Sequence, residues 1–211
     1  MRPVRDHHLS VSRTARYATL GPAAAADVWF TLHGYGQLAR RFVREFEGIA
    51  RDRLIVAPEA LNRFYLDPPH QKVGATWMTR EDRLTDIADY VRYLDALAGV
   101  VLGSASPRRV TVLGFSQGAA TACRWVAQGC ARVDRLVLWA GEVPPDLDLA
   151  AAAPRLSTLE MVLVAGEDDQ FITPKVLAAL SARLREYGVA HRTVTFAGGH
   201  GIDRTTLAGL A

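Results

Sequence analysis

The sequence predicts an α/β fold: a mainly parallel sheet of about eight strands, flanked by helices to make three layers. Three observations predict it. Short β-branched runs alternate with helical patterns along the 211 residues, the pattern of parallel strands joined by crossover helices. The runs are apolar almost throughout, as strands buried on both faces must be. No internal repeat, low-complexity tract or linker interrupts the alternation, so one domain over residues 1–211 is expected.

Taken in chain order, residues 8–13 and 16–20 read as a weak antiparallel hairpin at the sheet edge. Apolar runs follow at 28–32, 54–57, 110–113, 136–139, 161–164 and 194–196. The clearest helix comes after Thr79, where Thr79 and Asp82 form an N-terminal cap pattern. Its Leu84, Ile87, Val91, Leu94, Leu97 and Val101 recur every three or four residues, which predicts one buried stripe. Residues 117–131 read as a helix rich in small residues. Residues 174–187 read as another, with Pro174 in its first turn and Gly188 past its end. The segments 58–74, with Pro68 and Pro69, and 141–154, with Pro144 and Pro145, are irregular and placed to overhang a site.

Composition excludes several classes. With 49% hydrophobic and 22% charged residues the chain is an ordinary globular one. It has no run of about 18 apolar residues, so no transmembrane helix is expected. Residues 1–10 carry Arg2, Arg5, Asp6, His7 and His8 and no apolar stretch of a secretory signal, which predicts a cytoplasmic protein. The net charge of +3 comes from 25 basic and 22 acidic residues dispersed along the chain, with no basic run. Nucleic-acid binding and stable membrane association are therefore not expected. If Cys123 and Cys130 share a helix, they lie roughly 10 Å apart along its axis, too far for a disulfide. Both read as small buried apolar residues.

The chemistry concentrates in Gly-Phe-Ser-Gln-Gly at 114–118. It directly follows a strand and opens a helix, the setting in which a sharp turn presents a serine nucleophile. A glycine-rich turn with a capping serine is the competing reading. Ser116 needs a base to remove its proton. His200, in a glycine loop after the last strand, is placed to supply it, whereas His191 starts that strand at the wrong end. His7, His8 and His70 read as surface residues. The acid that orients the histidine should follow the strand at 161–164, where Glu167, Asp168 and Asp169 are all available. Spacing does not choose between the two aspartates, and Glu142 is a weaker fourth. An oxyanion needs two backbone donors. One is the N–H of Gln117, and the other belongs to the glycine loop at 32–36, in which His33 reads as a brace.

These segments resemble the α/β-hydrolases of the phospholipase/carboxylesterase type, the serine esterase and acyl-thioesterase branch with little or no lid. The likeness rests on Leu-His-Gly-Tyr-Gly at 32–36, the serine motif, residues 166–174, and Gly199–His200, in the order serine, acid, histidine. The resemblance implies Asp169 as the acid and the N–H of Tyr35 as the second oxyanion donor. This chain departs from the pattern at Ala165, where many members have histidine, and at Thr173, where proline is usual. The activity implied is hydrolysis of small-molecule carboxylic esters through an acyl-enzyme on Ser116, with no metal or cofactor. The shortness of the chain, which predicts a small and mostly uncovered site, adds the expectation of short to medium acyl groups. Phe64, Tyr65, Trp77 and Met78 are the expected pocket walls. Acyl-protein thioesterase, lysophospholipase and a non-catalytic hydrolase-fold binding module are the alternatives. Monomer and homodimer both stay open.

Overall fold

The computed structural model describes residues 3–105 and 107–211, with only the backbone of 104 and 105. Met1 and Arg2, part of the N-terminal reading, lie outside the described residues. The central sheet has seven strands in the order β1-β3-β2-β6-β7-β8-β9. They are β1 (Tyr17–Leu20), β2 (Asp27–Leu32), β3 (Leu54–Pro58), β6 (Arg109–Phe115), β7 (Arg135–Trp139), β8 (Glu160–Gly166) and β9 (Arg192–Phe196). Only β1 runs antiparallel, against β3; every other pairing is parallel. A separate antiparallel hairpin pairs β4 (Asn62–Tyr65) with β5 (Val73–Thr76).

Alternation along the strands sorts the core into two. Val28, Phe30 and Leu32 of β2 and Val110 and Val112 of β6 face one side. There they meet α2 (Arg83–Ala105), α3 (Gln117–Gln128), α4 (Leu149–Leu156) and α5 (Pro174–Glu186). Trp29, Leu113, Phe115, Val137 and Trp139 face the other side. That face is covered by α1 (Ala39–Phe42), a 3-10 helix at Val43–Ile49 and α6 (Arg204–Leu210). The strands in the middle of the sheet bury both faces, which is why they read as continuous apolar runs.

Four expectations need correction. The sheet has seven strands rather than about eight: residues 8–13 form no strand, and Leu9 and Val11 point into solvent. Their alternation has no buried face behind it. The segment 58–74 is largely ordered as the β4–β5 hairpin, and 141–154 ends in α4, capped by the Asp148 side chain on the Ala151 amide. In α2 the buried stripe runs through Ile87, Tyr90, Val91, Leu94, Leu97, Ala98 and Val101, while Leu84 in its first turn is exposed. Cys123 is buried, but Cys130 lies past the end of α3 and is exposed; both are free thiols. The last strand, β9, is an edge and only half-buried. Among the described residues no helix is long and apolar enough to cross a membrane.

Candidate active site

The strand order reverses beside β2, whose successor β3 lies on one side and β6 on the other. Sheets of this kind form a crevice at the carboxyl ends of the strands, at such a reversal. Ser116 stands there, between β6 and α3. Its backbone adopts φ 54° and ψ −118°, a conformation that L-residues rarely occupy. Two glycines make the turn possible. A Cβ at Gly114 would lie 2.2 Å from the Gly118 carbonyl oxygen, and one at Gly118 would lie 2.2 Å from that of Leu32. The Ser116 side chain makes no helix-capping bond, which removes the capping-serine reading. Its hydroxyl faces His200 instead.

The Ser116 Oγ is 3.0 Å from His200 Nε2, and His200 Nδ1 is 2.8 Å from Asp169 Oδ2. The other oxygen, Oδ1, accepts from the amides of Phe171 (2.8 Å) and Ile172 (3.0 Å). Burial pushes the Asp169 carboxyl up, but the Ile172 amide, the His200 ring and the Phe171 amide outweigh it and hold it below the usual carboxylate range. Asp168, one residue away, is exposed, as are Glu167 and Glu142. Of the two aspartates that spacing left open, Asp169 is the buried one whose carboxylate meets His200. His200 is held from three sides, by the rings of Phe115 and Phe171 and by a loop whose Gly201 carbonyl accepts from the Trp139 indole. His191 lies at the other end of β9, bonded to Ser181. His8 is exposed and pairs with Asp82, and His70 stacks on Tyr65 at the surface.

The N–H of Gln117 opens α3, where the helix leaves its first amides unpaired and its dipole is positive. The Gln117 and Tyr35 amides have no acceptor among the described residues. The Tyr35 loop is braced throughout. His33 Nε2 accepts from the Ala60 amide, so its Nδ1–H donates to the Gly34 carbonyl at 2.8 Å, and burial lowers its pKa. The Gly36 amide donates to the Ala75 carbonyl, fastening the loop to β5. The Tyr35 ring lies against Phe64, with centroids 5.1 Å apart.

A cleft of about 770 Å³ opens over Ser116 and His200. Of the four expected walls only Met78 lines it. Phe64 turns to Tyr35, Tyr65 is exposed against His70, and Trp77 is buried with its indole donating to the His33 carbonyl. The walls come instead from 78–83, 140–146, Phe171 and Ile172, and the floor from one face of α3. The Gln117 side chain was also missed. Its Nε2 donates to Thr76 Oγ1 and the Met78 carbonyl, and its Oε1 accepts from the Trp77 amide. The neighbour of Ser116 thus holds the segment that starts one wall.

A serine–histidine–aspartate line at the carboxyl ends of a mainly parallel sheet is the arrangement of an α/β-type hydrolase. Residues 13–207 match the alpha/beta hydrolase family, and the chain belongs to it. The fold is similar to that of esterase PE8, with a TM-score of 0.73 and 22% identity over 94% of this chain and 96% of that one. It is similar to Zea mays acyl-protein thioesterase 2, with a TM-score of 0.72 and 17% identity over 93% and 96%. Arabidopsis thaliana SOBER1 follows, with a TM-score of 0.69 and 18% identity over 87% and 95%. At such identities the likeness is one of fold. No curated protein matches the sequence.

Proposed function

We propose that the protein is a serine esterase of the phospholipase/carboxylesterase type that cleaves small-molecule carboxylic esters. The observation that carries the reading is the line Ser116–His200–Asp169, joined at 3.0 and 2.8 Å and opening on a cleft. Ser116 Oγ attacks the ester carbonyl carbon while His200 Nε2 takes its proton. The oxyanion that forms bonds to the N–H groups of Tyr35 and Gln117. Its collapse expels the alcohol, which receives the proton from His200 and leaves an acyl group on Ser116. Water, deprotonated by His200, attacks that acyl group and restores the serine. Asp169 stays ionised, holds His200 with its proton on Nδ1, and stabilises the imidazolium. The open cleft supports a preference for short to medium acyl groups. A thioester would pass through the same acyl-enzyme, and the fold shared with acyl-protein thioesterase 2 favours it as the second reading.

A fluorophosphonate probe tests the nucleophile. The wild-type protein is expected to be labelled and Ser116→Ala not; an unlabelled wild type, or equal labelling of the variant, defeats the enzyme reading. On the labelled protein, turnover of p-nitrophenyl esters is expected to peak at short to medium acyl groups. Faster release of thiol from a matched acyl thioester would favour the second reading.

A further inference from the structure

The cleft has a second end. Gln117, Ala120, Thr121 and Arg124 follow one face of α3 away from Ser116. Eight residues at 1.5 Å rise place the Arg124 Cα roughly 12 Å from that of Ser116. The small side chains between leave the floor open. Arg124 lines that end together with Asp146 and Arg83, which pair around it, and Arg80 and Glu142 also line the cleft.

Asp146 is shared: one oxygen is 2.7 Å from Arg124 and the other 2.7 Å from Arg83. The Arg124 side chain is only 5% exposed, and its other contacts, the Tyr90 hydroxyl and the Met78 sulfur at 3.5 Å, carry no charge. The Arg83 Nε is buried with no hydrogen-bond partner. A buried cation is costly unless an anion accompanies it. Asp146 accompanies the buried Arg124, which leaves the charge of Arg83, whose side chain is 37% exposed, at the end of a cleft that begins at Ser116. Arg80 and Glu142, of opposite charge, are exposed to solvent. A single guanidinium–carboxylate pair would suffice to hold Arg124; Arg83 adds a partly exposed charge that a second anion in the cleft can meet.

We propose that this end of the cleft receives a carboxylate carried by the substrate, so that the preferred substrates are esters with a carboxylate a few bonds from the scissile carbonyl. The inference rests on the esterase reading of Ser116 and names its substrate class. A phosphodiester offers similar oxyanion chemistry. The carboxylate is favoured because Asp146, a carboxylate, already spans these same two guanidinium groups.

The test uses matched pairs that differ only in charge, hydrolysed at pH 7 in a pH-stat. Monoethyl adipate against ethyl hexanoate places the carboxylate on the acyl side; the acetate ester of hydroxyhexanoate against hexyl acetate places it on the alcohol side. In at least one pair, kcat/KM is expected to favour the carboxylate by about tenfold or more, mainly through KM. In Arg83→Gln that ratio falls toward unity, and in Arg83→Lys it partly returns. A ratio at or below one in both pairs, a ratio unchanged in Arg83→Gln, or faster cleavage of a short-chain lysophosphatidylglycerol than of either carboxylate would overturn the proposal. Fluorophosphonate labelling of the same preparation separates the two failures. Labelled protein without charge preference sinks this inference alone, whereas unlabelled protein sinks the esterase reading and this inference with it.

Discussion

Ser116 and Asp169 meet His200 from opposite sides, and each is held by backbone rather than by side-chain packing. The positive φ of Ser116 costs about 1–3 kcal/mol, and the turn is kept by its amide on the Trp139 carbonyl and its carbonyl on the Ala119 amide. Asp169 is fixed by two amides on one oxygen, which leaves the other free for His200. In Asp169→Asn the remaining oxygen still accepts from Phe171 and Ile172, but an N–H group now faces Nδ1 and drives the ring into the wrong tautomer. Steady-state kinetics on a p-nitrophenyl ester are expected to show kcat lower by about 10³–10⁴-fold. Asp168→Asn, at an exposed position, should stay within about twofold. The opposite result would move the role to Asp168. Glycines on either side announced the serine and the histidine in the sequence; around the serine, close backbone approach excludes other residues at Gly114 and Gly118. The acid carried no such mark: two adjacent aspartates differ only in which one the turn directs inward.

The β4–β5 hairpin and the start of α3 together set the shape of the Tyr35 loop. Gly36 is tied to β5, Phe64 of β4 supports the Tyr35 ring, and the Gln117 side chain bonds Thr76, Trp77 and Met78 at the end of β5. Gln117→Ala keeps the backbone N–H but releases that wall, so kcat/KM should fall about tenfold or more, at a stability cost of about 1–2 kcal/mol. A variant with wild-type kinetics and only a lower melting temperature would reduce Gln117 to a structural bond. The inner strands were legible because burial on both faces leaves an unbroken apolar run, as in β2, β7 and β8. The hairpin was hidden by Pro68 and Pro69 in its loop and by strands of four residues. Short α1, α4 and α6 give too few turns for a helical period to stand out. The expected aromatic walls failed for a related reason: Phe64 and Trp77 have the right composition, but their side chains point to Tyr35 and the core. The polar loops that do line the cleft look like any surface loop in sequence.

Among the described residues, three carboxylates are each shared by two or three arginines. Glu160 gathers Arg109, Arg135 and Arg192 at the amino ends of the strands, away from the site. Asp146 takes Arg83 and Arg124, and Glu59 takes Arg16 and Arg63. Glu59 matters most for cohesion. Its side chain is fully buried after β3, and it joins Arg16 beside β1, the Ala39 amide that starts α1, and Arg63 of β4. One carboxylate thus connects the sheet edge, a covering helix and the hairpin behind the Tyr35 loop. Burial pushes this carboxyl up, but the bonds from Arg16 and Arg63 outweigh it, so its folded pKa is depressed. A depressed folded pKa gives stability that is fully present above the unfolded value of about 4.3 and is lost as pH falls through the folded one. Glu59→Gln should therefore cost about 2 kcal/mol in urea unfolding at pH 7. The gap between wild type and variant should begin to close as pH drops below about 4.5, and disappear once Glu59 is protonated in the folded state. A gap that stays constant down to acid unfolding would mean that the charge of Glu59 does not hold these elements together, leaving only the shape of its side chain to do so.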